Sequence, residues 1–154
     1  MELTKRIILT MKVGSGLDAL VAHNIFGWEY VQNAPDGFHC LSVGNDKGWW
    51  KSPDWNGWAC AACEGLPYQY SNDIEKAWSI VERVQKLYPY WRFSLLGGDR
   101  DFKQGYNAEW FGEDDPRNDY GKRHGKAFCS TAPEAICKSA LIACLGLEES
   151  IMKP

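Results

Sequence analysis

Between Gly14 and Trp28 the chain places Leu17, Leu20, Val21, Ile25 and Trp28 at helical spacing. That spacing predicts an amphipathic helix over Gly16 to Phe26, capped by Ser15 and ended by Gly27. The pattern then changes. From Trp28 to Pro67, short aromatic or β-branched runs such as "FHCLSV" and "GWACAAC" are broken by "NAPDG", "GNDKG" and "SPDWNG". Those breakers are turn chemistry, so the region reads as a meander of strands. Helical spacing returns in "YSNDIEKAWSIV", where Ile74, Ala77, Trp78, Val81 and Val84 make an apolar stripe. Asn72 and Glu75 fit the N-cap and N3 positions of a capping box, with Ser71 and Asp73 adding acceptors.

Alternation then predicts strands over Tyr90 to Leu96 and Tyr106 to Phe111, with "KAFCS" as a short third one. "GEDDPRNDYGKRHG" reads as a charged, solvated loop of mixed sign. In "TAPEAICKSALIACLGL", Thr131 caps, Pro133 sits in the first turn and Glu134 completes a capping box. Ala135, Ile136, Ala140, Leu141, Ala143 and Leu145 make this last helix apolar around much of its girth, which predicts burial. Helices separated by runs of turn-linked strands define an α+β class. The expected architecture is an antiparallel or mixed β-sheet covered by helices in an α/β/α layer sandwich, not a doubly wound parallel sheet. Residues 1–154 suit one domain, with a Trp/Cys-rich insert around residues 33–66.

Composition sharpens this picture mainly through its eight tryptophans. Such a surplus of large flat rings suggests that some line a groove or interface as well as the core. The net charge is −3, with Lys and Arg scattered, so the basic stripe of a duplex-binding protein is missing and nucleic-acid binding is disfavoured. "MELTKRIILTMKVGSG" is too short and interrupted for a signal-peptide core, and no run approaches the roughly 18 apolar residues of a membrane span. The expectation is a cytosolic protein with six reduced thiols.

His39, Cys40, Cys60 and Cys63 are the one constellation with ligand character, since a Cys-x-x-Cys knuckle can hold two corners of a zinc tetrahedron. His39 and Cys40 are adjacent, which is poor geometry for two ligands to one ion, so no metal and no cofactor are expected. Catalytic signatures are equally thin. His23, His39 and His124 lack a partner pattern, and Ala19 stands where the dinucleotide fingerprint needs its third glycine. Glu113, Asp114, Asp115 and Asp119 do not have the spacing of a calcium loop. No residue is assigned a catalytic role, and the protein is not expected to be an enzyme.

Three segments together carry a resemblance. "GSGLDALVAHNIFGW", "YSNDIEKAWSIVERV" and "TAPEAICKSALIACLG" resemble the opening, the central Tyr-Ser-x-Asp-Ile-x-x-Ala-Trp helix and the closing Thr-Ala-Pro-x-Ala-Ile-Cys helix of the phage ABA sandwich domain family. The blocks run from Gly14 to Gly146, whereas the insert with Trp49, Trp50, Trp55 and Trp58 matches none of its motifs. The resemblance implies a sandwich fold and a phage origin, in an infected bacterial host, without an established reaction. Phages encode several unrelated compact proteins that sequester the nucleotide messengers of bacterial immunity, and a small chain without catalytic motifs fits that class.

The expected function is therefore counter-defence: binding and sequestering a nucleotide-derived signal, a cyclic dinucleotide or ADP-ribose derivative, without cleaving it. Trp49, Trp50 and Trp58 are the candidates to stack the base, and Arg92 and Arg123 to hold phosphates. The helix start at Ser130 and Thr131, or the glycine-flanked one at Ser15, is better suited to an anion than the one at Asp73, whose carboxylate would repel it. Two alternatives stand beside this reading, a host-protein binder acting through its Trp-rich surface and a small hydrolase of such a nucleotide. The tryptophans also allow a homodimer or higher homo-oligomer.

Overall fold

The structure, a computed structural model, describes residues 2–31, 48–51, 53, 58–60, 68–100, 103–112 and 122–148. Among these residues are four helices: α1 Lys5–Thr10, α2 Ser15–Asn24, α3 Ile74–Leu87 and α4 Ala132–Cys144. There are six strands: β1 Glu29–Val31, β2 Trp49–Lys51, β3 Trp58–Cys60, β4 Trp91–Arg100, β5 Lys103–Gly112 and β6 Lys122–Cys129. The class is α+β, as the sequence predicts. The strands form two separate antiparallel sheets, ordered β1-β2-β3 and β4-β5-β6.

Helix α4 organises the molecule. Every residue from Ala135 to Ala143 is buried, so the apolar girth read from the sequence is covered on all sides. Strands β5 and β6 lie on one side of it, and α1, α2 and α3 pack on the others. Its small residues permit close approach. At Gly125 of β6 an added Cβ would come 2.4 Å from the Ser139 carbonyl oxygen and 2.7 Å from the Ala143 amide nitrogen. Gly125 belongs to β6, so the predicted charged loop ends earlier than expected and Lys122 to Gly125 are strand.

The main core spans both sheets. Trp50 joins Leu17, Val21 and Ile25 of the α2 region, while Trp91 and Trp110 join Ile136, Leu141 and Ile142. Trp110 is fully buried and lies 4.8 Å from the Phe93 ring, centroid to centroid. Tyr88, Trp91 and His124 form a three-ring stack, with centroid spacings of 3.9 Å and 4.1 Å. His124 also places Nε2 2.8 Å from the Gly112 carbonyl, so it is held within the sheet's packing.

The helices differ from expectation in instructive ways. α3 begins one residue later than predicted: Asp73, not Asn72, is the N-cap, and its carboxylate accepts from the Glu75 and Lys76 amides at 2.9 and 3.4 Å. Its buried residues are Ala77, Ile80 and Val84, while Ile74 and Trp78 are 42% and 43% exposed. Trp78 sits edge-on to Phe93 instead of entering the core. α2 starts at Ser15 with Gly14 as its cap, at φ 146°, a conformation only glycine adopts freely. α1 has too few residues for a periodic signal. Thr4 caps it by accepting from the Ile7 amide, and Ile8 is its buried anchor.

A buried polar link joins α2 to the lead into α3. Asp18, 3% exposed, accepts from the Ser71 amide at 2.8 Å, and Ser71 Oγ accepts from the Gly14 amide at 3.2 Å. Burial raises the Asp18 carboxyl above its ordinary value, outweighing the hydrogen bonds from Ser71 that favour its charge. The sign follows directly: a carboxyl whose folded pKa is raised contributes stability that is present below its unfolded pKa of 3.8 and lost as pH rises through the folded value. Asp18→Asn keeps an acceptor for the Ser71 amide and removes the titration. Urea unfolding between pH 3.5 and 7.5 is expected to show the variant gaining on the wild type as pH rises above about 4. Parallel pH profiles would show that Asp18 ionises as readily in the fold as in the unfolded chain.

Candidate functional site

The long β4–β5 ribbon carries glycines two pairs before its Arg100–Lys103 end. Antiparallel register sets Gly97 opposite Tyr106 and Gly98 opposite Gly105, and Tyr106 in turn faces Cys129 at the end of β6. The chain then passes through Ser130 and Thr131 into α4, which runs back over the sheet. Where these segments meet, Gly97, Gly98, Gln104, Gly105, Tyr106 and Ser130 line an open cleft of about 550 Å³. That size lies within the range of small-molecule sites.

The lining has a definite chemistry. Nothing lies within 4 Å of where a Gly98 side chain would project, so backbone forms the wall there and a ligand can approach the peptide groups. Tyr106 is 39% exposed and supplies the aromatic surface. Gln104 contributes an amide and Ser130 a hydroxyl, both able to donate and accept. The adjoining start of α4 adds the positive end of a helix dipole. Thr131 is its N-cap and makes no side-chain capping hydrogen bond. The one acid in that first turn, Glu134, is taken up by Lys138 at 2.6 Å, which offsets its charge. The α3 start is different, because Asp73 already places a carboxylate on its amides.

The sequence-predicted site residues scatter. Ser130 lines the cleft and Thr131 follows it directly; both are exposed. Trp49 and Trp50 are each 4% exposed and lie in β2, where Trp50 pairs with Tyr30 and Ala59. Trp58 is half-buried on β3, with the Lys51 ammonium 6.0 Å from its ring centroid. Arg92 is exposed near the start of β4, five residues from Gly97, or about 17 Å along an extended strand. Arg123 is at the far end of β6 from Ser130, and its Nη2 is 3.2 Å from Glu148, which also takes Lys5 at 2.7 Å. Of the expected set, Ser130 alone lines the cleft, with Thr131 next to it in the chain.

Sequence reading did not select Gly97, Gly98, Gln104, Gly105 and Tyr106. The available signal was the glycine pair closing "SLLGG" and the isolated glycine before Tyr106, both in the two strands that pair. Among the described residues no group of three or more His, Cys, Asp or Glu side chains is placed to hold a metal. His39, Cys40, Cys63, the Cys60 side chain and the Glu113–Asp119 acids fall outside the described residues. The remaining thiols sit in apolar packing. Burial pushes Cys129 and Cys144 up to about 12, and raises Cys137 well above its ordinary value, so these are poor nucleophiles at neutral pH.

The architecture is that of an α+β protein with an open cleft beside the β4–β5 ribbon and the start of α4. Residues 19–141 match the phage ABA sandwich domain, and the chain belongs to that family, as its three motifs suggest. The match marks it as a bacteriophage protein. Neither a curated protein nor a solved structure matches it. Among the described residues no helix is long and apolar enough to cross a membrane.

Proposed function

We propose that this phage protein acts within the infected host cell, binding and sequestering a nucleotide-derived signal in the Gly97–Gly105–Ser130 cleft without cleaving it. The observation that carries the reading is the cleft itself: about 550 Å³, walled by glycine backbone, with one aromatic ring and a helix start beside it. Nucleotides combine a flat base, sugar hydroxyls and phosphates. Aromatic faces, amide and hydroxyl groups, and backbone amides at a helix start are the matching partners. The groups lining this cleft bind and orient, and no cofactor is needed for that. The docking alternative has less support, because Trp49 and Trp50, on opposite faces of β2, are both buried at 4% exposure.

The test is retention. Purified protein is incubated with cyclic dinucleotides and with cyclic and linear ADP-ribose derivatives, washed and heated, and the released material is analysed by mass spectrometry. An intact nucleotide is expected from the wild type and none from Ser130→Trp, whose indole would fill the cleft from its exposed rim. A cleaved product would make the protein an enzyme, and retention by Ser130→Trp would move the site elsewhere.

A further inference from the structure

Within the cleft, one contact sets the position of the aromatic ring. Gly97 and Tyr106 are cross-strand partners, and a Cβ built on Gly97 would lie 3.3 Å from Tyr106 Cε1 and 3.5 Å from Cδ1. The ring therefore lies against the space beside Gly97: a lone Cβ there would press on it slightly, and a branched side chain would push it aside. An aromatic lying over a cross-strand glycine covers bare backbone and is held by it. The side of Tyr106 toward Gly97 is backed, while the ring remains 39% exposed and borders the cleft.

We infer that Tyr106 is the stacking platform for the planar base of the ligand and that Gly97 is the residue that positions it. This rests on reading the cleft as a nucleotide site. A ring already seated against backbone loses little freedom when a second flat group covers its open side, so stacking there is pre-organised. The choice of residue types at both positions matters. A phenyl ring at position 106 keeps the π-face, whereas a methyl does not. A branched side chain at position 97 suits a strand but occupies the seat of the ring. The ligand class this geometry selects is a nucleotide whose base is free to stack, with its sugar and phosphates directed along the glycine wall toward Ser130 and the α4 start.

Isothermal titration with ADP-ribose and cyclic di-AMP compares wild type, Tyr106→Phe, Tyr106→Ala, Gly97→Val and Ser130→Trp, with thermal melts confirming that each is folded. Tyr106→Phe should bind within about twofold of wild type, because the π-face is retained. Tyr106→Ala and Gly97→Val should each weaken binding by about tenfold or more, the scale of a lost base–aromatic stack. If Gly97→Val does not fold, the Phe-against-Ala contrast at position 106 decides alone. Loss in Ser130→Trp with unchanged affinity in Tyr106→Ala would overturn the platform and leave the nucleotide cleft standing. Equal losses in Tyr106→Phe and Tyr106→Ala would overturn it too, by tying binding to the hydroxyl. A wild type that binds neither probe and retains nothing from the full nucleotide panel would overturn both inferences.

Discussion

Gly125→Ala is expected to destabilise the protein by about 3 kcal/mol, the upper end for overpacking a close-packed interior. The added methyl would stand 2.4 Å from the Ser139 oxygen, 2.7 Å from the Ala143 nitrogen and 2.9 Å from the Ala143 Cβ. Two of these three are backbone atoms of a helix whose residues from Ala135 to Ala143 are all buried. No flexible side chain can move aside, so β6 and α4 must separate, disturbing the packing of the whole layer. For a domain of this size the melting temperature should fall by roughly 6–12 °C. Gly16→Ala provides the contrast. It lies in α2 with only Met11 Cε nearby, at 3.8 Å, and should be neutral or stabilising by up to about 1 kcal/mol. Equal melting temperatures for the two variants would contradict the close approach of β6 and α4.

Lys138→Met should cost a similar amount, about 3 kcal/mol, the low end for breaking a buried ion pair. The Lys138 side chain is 3% exposed and pairs with Glu134 at 2.6 Å. Its ammonium also donates to the Leu9 and Met11 carbonyls at 3.0 and 2.7 Å, closing the C-terminal end of α1. Removal leaves Glu134, only 16% exposed, without its cation and leaves two helix-end carbonyls without this donor. A six-residue helix has little stability of its own, so α1 should loosen as well. Denaturant unfolding measures the first effect. Hydrogen exchange at the Ile8 and Met11 amides, which bond to Thr4 and Ile8 carbonyls, measures the second. A loss below 1 kcal/mol with unchanged exchange would show that the α1 docking does not depend on Lys138. The paired change Glu134→Gln with Lys138→Met should recover part of the loss, since it removes the unpaired charge.

These two residues also show where sequence reading reaches its limit. Lys138 occurs in a helix of alanines and apolar residues, where its charge looks like a solvent-facing interruption. Its partners are one turn away in Glu134 and about 130 residues away in α1, and only the first is a local pattern. Gly125 follows "GKRH" and looks like a loop glycine, yet it is a strand residue whose missing side chain makes room for α4. The candidate site behaves the same way. The helix start at Ser130 and Thr131 was legible because capping is a local signal. Tyr106 and the glycines were not, because their meaning depends on which strand pairs with which.

The sequence by itself determined the α+β class, three of the four helices among the described residues to within about three residues, the strands β4 to β6 in outline, and the family. Each of these rests on spacing, capping or motif residues within a short stretch, which local backbone geometry converts directly into structure. Tertiary structure alone decided that the strands divide into two sheets, that Trp49 and Trp50 are buried while Trp78 is not, and that Arg92 and Arg123 lie far from Ser130. It also decided that β4, β5 and the α4 start meet in a cleft. Pairing register and burial arise from contacts between residues distant in the chain, and a composition rich in tryptophan fixes how much aromatic surface there is, not which side of it faces water.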